Sequence, residues 1–184
     1  VDAFGLDSEY DYDPVWKKCI ELKVSPTFHS PASGLVDRMS VSSYMYNQIG
    51  MFATAGHNLT KSLVLGGVTR RFPDLRCGML EGGAGWGTIL FGELIGHWHK
   101  RNYAAMQKLN PANLDRKEYE RLFRLHGGKM IENGRIDRLW EDRFTQIIHV
   151  PEDQIDEFAA LKVQKEEDFY GLYVPHFFFG CEAD

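Results

Sequence analysis

Arg71-Phe72-Pro73-Asp74-Leu75-Arg76-Cys77-Gly78-Met79-Leu80-Glu81-Gly82-Gly83-Ala84-Gly85-Trp86-Gly87 is the stretch that decides the fold class. It leaves a helix, turns at Pro73-Asp74, and enters a short apolar strand over Arg76–Leu80. A carboxylate, Glu81, stands at the C-terminal tip of that strand, and a glycine-rich loop then opens a helix. In α/β sheets, open or closed, ligands and chemistry gather at those tips. Glycines after the carboxylate let backbone and ligand approach closely, which makes the tip a candidate site. The competing reading is an acidic residue that caps the following helix.

Upstream, Asp13-Pro14 starts a helix, with Asp13 as N-cap and Val15, Trp16, Cys19, Ile20 and Leu22 as its apolar stripe. Val24 to His29 reads as a short strand, and Ser30 to Gly34 as a loop. A helix is predicted from Val41 to Ala55, with Tyr44, Met45, Ile49 and Phe52 on one side, and another from Asn58 to Leu65 that Gly66-Gly67 stops. Downstream, Gly87 to Leu109 reads as one long helix with Leu90, Leu94, Trp98 and Ala105 buried. Further helices are expected at Arg116–Leu125, Ile136–Ile148 and Glu152–Gln164, the first entered at Asp115 and the last at Pro151 with its acidic residues, and a third apolar strand over Tyr173–Cys181. Buried strands separated by helical crossovers imply an α/β fold with a parallel sheet. The segment from about Asn110 to Tyr170 exceeds a simple crossover and reads as a helical insertion.

The chain of 184 residues is 43% hydrophobic and 26% charged, enough for one domain with a real core. A net charge of −5 without a basic run argues against nucleic acid as a partner. No apolar run approaches the roughly 20 residues that span a bilayer, and no signal peptide pattern is present. Cys19, Cys77 and Cys181 are isolated and odd in number, which points to thiols of a reducing, cytoplasmic compartment rather than a disulfide framework.

Three strands end in residues able to bind metal or move protons: His29, Glu81 and Glu182. Period-two alternation puts Thr27 with His29, Cys77 and Met79 with Glu81, and Phe178 and Gly180 with Glu182. Imidazole nitrogen and carboxylate oxygen suit zinc or manganese, and equally suit general acid–base work. Strand-end residues making only loop hydrogen bonds remain the plain alternative. His97-Trp98-His99 is not a metal pair, because on a helix the two rings point about 200° apart. His57 reads as a loop or capping residue, His126 and His149 as helix-end cations, and His176 as opening the third strand away from the site. The loop Gly82–Gly87 offers backbone N–H groups to an anion, or serves tight strand-to-helix packing beneath Trp86.

Asp13-Pro14-Val15-Trp16 leading into Pro26-Thr27-Phe28-His29-Ser30 resembles the amidohydrolase-related metal-dependent hydrolases. So does Ser62-Leu63-Val64-Leu65-Gly66-Gly67-Val68 leading into Arg71-Phe72-Pro73-Asp74-Leu75 and Leu80-Glu81-Gly82-Gly83. The branch is that of aminocarboxymuconate-semialdehyde decarboxylase and related aromatic-acid decarboxylases. The resemblance implies part of a (β/α)8 TIM barrel, about strands five to seven, with a divalent metal ion, most often zinc. It implies that His29 is a metal ligand and that Glu81 stands where many relatives carry a histidine, as general base or supporting ligand. It aligns Glu182 with a residue near the end of strand seven. The implied reaction is hydrolysis of a C–N or C–O bond, or non-oxidative decarboxylation, of a small organic acid. The family's first-strand His-x-His and last-strand Asp are not among these residues, and a complete barrel needs about 250 residues. The chain is therefore expected to be a fragment of such an enzyme, inactive alone, whose open strand edges favour aggregation or pairing with a second copy. The competing reading is a non-catalytic α/β domain that binds a ligand or partner.

Overall fold

The computed structural model describes residues 4–6, 12–29, 40–110, 113–131 and 155–181. These divide into two compact units, one formed by 1–98 with 158–184 and the other by 99–157.

The first unit is built on three parallel strands in chain order: β1 (Thr27–Phe28), β2 (Cys77–Met79) and β3 (Phe177–Phe179). Thr27 is in register with Gly78, and Cys77, Gly78 and Met79 face Phe177, Phe178 and Phe179. The fold is thus α/β with a small parallel sheet, the class that apolar strands separated by helical crossovers predict. Cys77 and Met79 are buried, as an interior parallel strand requires.

Helix α1 (Asp13–Leu22) precedes β1. Asp13 is not its N-cap; Tyr12 holds that position, and Pro14 lies in the first turn. The Asp13 carboxylate is engaged elsewhere, accepting from Arg71 Nε at 3.0 Å and Nη2 at 2.8 Å. Arg71 closes α4 (Val68–Arg71) and also donates through Nη1 to the Gly66 carbonyl at 2.7 Å. This two-pronged, partly buried pair ties α1 to the turn before β2.

Between β1 and β2 the expected boundaries shift. A five-residue helix, α2 (Tyr44–Gln48), ends at Ile49, and α3 runs unbroken over Met51–Leu65. The break falls at Gly50, whose φ of 79° is a left-handed conformation that glycine adopts without steric cost. Asn58 therefore lies inside α3 rather than at its start. Gly66-Gly67 end the helix as their placement implies.

Helix α5 (Gly85–Arg101) follows β2 and stops short of Leu109, because Asn102 caps a new helix, α6 (Tyr103–Gln107), by accepting from the Ala105 N–H at 3.0 Å. The second unit holds α6 and α7 (Arg116–His126), the latter capped by Asp115, as its sequence predicts. Residues 132–154, including the expected helix Ile136–Ile148 and His149, lie outside the described residues.

The segment after 157 returns to the first unit. Instead of a helix to Gln164 it forms a single 3-10 turn, Ala159–Leu161, because Arg70 Nε takes the Ala160 carbonyl at 2.6 Å and Lys162 turns left-handed. Phe158 and Leu161 join Trp16, Leu63, Val64 and Phe169 in the core. Helix α8 (Asp168–Tyr173) then occupies the start of the expected third strand, so β3 begins at Phe177. The Tyr173 hydroxyl is buried and donates to the Gly87 carbonyl at 2.8 Å, and burial pushes its pKa up.

His176 is buried just before β3, at the sheet end opposite Glu81. Its Nδ1 lies 2.8 Å from the Leu75 carbonyl oxygen. Burial, with Arg76 nearby, lowers its pKa, against the opposing pull of the Leu75 and Gly171 carbonyls and Asp74. A histidine that is harder to protonate folded than unfolded contributes its full stability above the unfolded pKa of about 6.5. That stability is lost as the pH falls below this value, because the unfolded chain takes up the proton more readily. Urea unfolding between neutral pH and mildly acidic pH should show this loss. His176→Asn, which keeps a donor near Leu75 but does not titrate, should show a shallower loss; an equal slope would exclude His176 as its source.

Candidate functional site

The C-terminal rim of the sheet is set by backbone hydrogen bonds. Leu80 N–H donates to the Phe28 carbonyl at 2.9 Å, and Gly180 N–H to the Met79 carbonyl at 2.7 Å. Beyond these bonds β2 cannot continue as a strand, since Gly83 N–H turns back to the Gly180 carbonyl at 3.2 Å. Glu81 makes that turn with a φ of 57°. For a residue with a Cβ this left-handed conformation costs about 1–2 kcal/mol, and strain of this kind collects where a side chain must be aimed.

The turn also breaks the alternation expected of Cys77, Met79 and Glu81. Cys77 and Met79 are buried, while Glu81 is exposed and reaches towards β1. There His29 Nε2 lies 3.0 Å from Glu81 Oε1, with the side chains 54% and 47% exposed. Adjacent parallel strands therefore bring the histidine and the carboxylate together at one end of the sheet. Glu182, the third expected site residue, lies outside the described residues.

Phe52 of α3 lies beside the imidazole, with ring centroids 5.5 Å apart and planes inclined by 36°. The sequence marks Phe52 only as part of an apolar helix side; nothing local shows that this side meets β1. A second histidine–carboxylate contact joins α3 to α5, with His57 Nε2 3.5 Å from Glu93 Oε2. His57 thus sits within a helix, not in a loop before one. His97 and His99 both lie on α5, as the helical reading requires.

The glycine loop is occupied by packing. Trp86 fills the space beside Gly82 and Gly56 and meets Phe179 edge-on, with centroids 5.0 Å apart and an angle of 84°. Gly87 lies against the Phe179 ring so closely that a Cβ there would come within 2.5 Å of it. Only glycine lets the first turn of α5 reach β3.

Among the described residues no group of three or more His, Cys, Asp or Glu could hold a metal ion. His29 and Glu81 supply two donors of the right chemistry, against the three protein ligands of a catalytic zinc site. Cys77 offers no ready nucleophile: burial first, and then the neighbouring Cys19, push its thiol up to about 12. No helix among the described residues is long and apolar enough to cross a membrane. No family model, characterised protein or solved structure matches the chain.

The strain at Glu81 separates its site role from its fold role. Glu81→Gly should unfold at higher denaturant than Glu81→Ala, by about 1 kcal/mol, because only glycine relieves the left-handed backbone. Equal stabilities would show that the turn relaxes without cost and that no strain is held there.

Proposed function

We propose that the chain is part of a metal-dependent amidohydrolase-type barrel enzyme, contributing about strands five to seven, and that His29 and Glu81 belong to its reaction centre. The single observation behind this reading is the 3.0 Å approach of His29 Nε2 to Glu81 Oε1 at the C-terminal ends of adjacent parallel strands. In barrels of this class that is the face that carries chemistry. The motifs around Pro26–Ser30 and Leu80–Gly83 are similar to those of the amidohydrolase-related decarboxylases, and the parallel strand order suits a barrel segment.

The described donors do not complete a metal site by themselves, so the chemistry is carried here through the pair alone. With the proton on Nε2, His29 donates to Glu81, and its Nδ1 is left as a proton acceptor. With the imidazole turned away, the Glu81 carboxylate is itself the base. Either base removes a proton from water attacking a carbonyl and, once protonated as imidazolium or carboxylic acid, returns it to the leaving group; delivery of a proton to a carbon losing CO2 starts from that protonated form. A bound zinc ion would polarise that water or the substrate carboxylate. Glu182 is proposed as an additional site residue. The substrate class is a small organic acid, amide or ester, handled in the cytoplasm.

The test is zinc binding by calorimetry, together with hydrolysis of an activated ester, for the chain and for His29→Ala and Glu81→Gln. The expected result is one weak zinc site whose affinity falls by about tenfold or more in each variant, and no turnover at enzymatic rates. Zinc affinity untouched by both substitutions would remove the pair from any metal site. Turnover by the chain alone would overturn the view that its catalytic residues are incomplete.

A further inference from the structure

The segment Ser40–Ile49 is built inside out. Its polar groups satisfy one another: Ser40 N–H donates to Asn47 Oδ1 at 2.8 Å, and Asn47 Nδ2 donates back to the Ser40 carbonyl at 3.0 Å. The Ser40 hydroxyl accepts from the N–H groups of Ser42 and Ser43, and the Ser43 hydroxyl caps α2 by accepting from Tyr46 N–H. The apolar side chains face water. Val41, Tyr44, Met45, Tyr46 and Ile49 are all exposed, Tyr44 at 73% and Ile49 at 76%, and no residue of α2 is buried.

A five-residue helix has no stability of its own in water and ordinarily depends on packing an apolar face. Here a polar lattice holds the helix, and the apolar side chains are left for something else to cover. Five exposed apolar side chains within nine residues concentrate the kind of surface that marks an interaction site.

Charge indicates what covers it. From Ser40 to Gly56 the sequence contains no Asp, Glu, Lys, Arg or His, although the chain as a whole carries a net charge of −5. A basic or acidic partner would be met by opposite charges at the rim of the patch. A membrane-surface helix would carry Lys and Arg on its polar face, and this segment has none. An uncharged face is what two copies of an acidic chain need in order to meet without repulsion. Size agrees: the five side chains present on the order of 600 Å² of largely apolar surface, most of the roughly 800 Å² that each partner buries in a standard interface.

We propose that α2 and its flanking Val41 and Ile49 form a self-complementary patch through which two copies of this chain associate about a two-fold axis. The pairing is independent of the chemistry at His29 and Glu81.

Sedimentation velocity from about 1 to about 100 μM tests this, comparing the chain with Met45→Asp and Ile49→Asp. Both substitutions fall on exposed positions outside the core, and circular-dichroism melts should coincide with that of the parent. The expected result is a monomer–dimer equilibrium that each variant weakens by at least about tenfold. A parent chain that stays monomeric, a dimer that both variants leave intact, or open-ended association in place of a closed pair would each overturn the proposal. Binding to neutral lipid vesicles by a monomeric parent would overturn it too, in favour of a lipid surface.

Discussion

The sheet unit depends on the hydrogen bonding of one three-residue strand on both of its sides. Cys77–Met79 is bonded to β1 through Gly78 and Leu80, which donate to the Pro26 and Phe28 carbonyls. It is bonded to β3 through Cys77, which donates to the His176 carbonyl, and through Gly180, which donates to that of Met79. An interior parallel strand must have both faces covered, and α3, α5 and α8 surround it with Leu63, Leu90, Phe169 and Tyr173. Because the strand is so short, its last bonds fix where the chain must turn. The turn, not the strand, aims the Glu81 carboxylate at His29.

Much of this was legible in the sequence, for identifiable reasons. Apolar runs bounded by turn residues located all three strands, and Gly66-Gly67 and Asp115 marked helix ends, because such signals act locally. His29 and Glu81 could be placed on one rim because parallel strands share their C-terminal ends. What could not be read was decided by distant partners. Asp13 looks like a cap until Arg71 claims it, and the helix expected after Glu152 fails where Arg70 takes the Ala160 carbonyl. Strand alternation assigned Glu81 to the Met79 face, since alternation assumes a φ that the closing bond from Gly83 to Gly180 forbids. The position of Phe52 beside His29 depends on how α3 lies across β1, which no local pattern encodes.

The glycine loop shows how one composition supports two readings that only packing separates. Gly82 and Gly87 leave room for the Trp86 and Phe179 rings, so the first turn of α5 is pressed against the tip of β3. The rim that carries Glu81 is therefore backed by aromatic rings, a stiff support for a carboxylate whose backbone is strained.

The contact between His176 and Leu75 joins residues 101 apart in the chain, whereas that between Arg71 and Asp13 spans 58. Loop closure costs free energy only as the logarithm of loop length, about 0.6 kcal/mol for each doubling. The length of the unit between α5 and α8 is thus almost neutral for the stability of the rim, while long-range pairings of this kind slow the search that forms it. Such an intervening unit can lengthen, shorten or be exchanged over generations while β3 still finds β2.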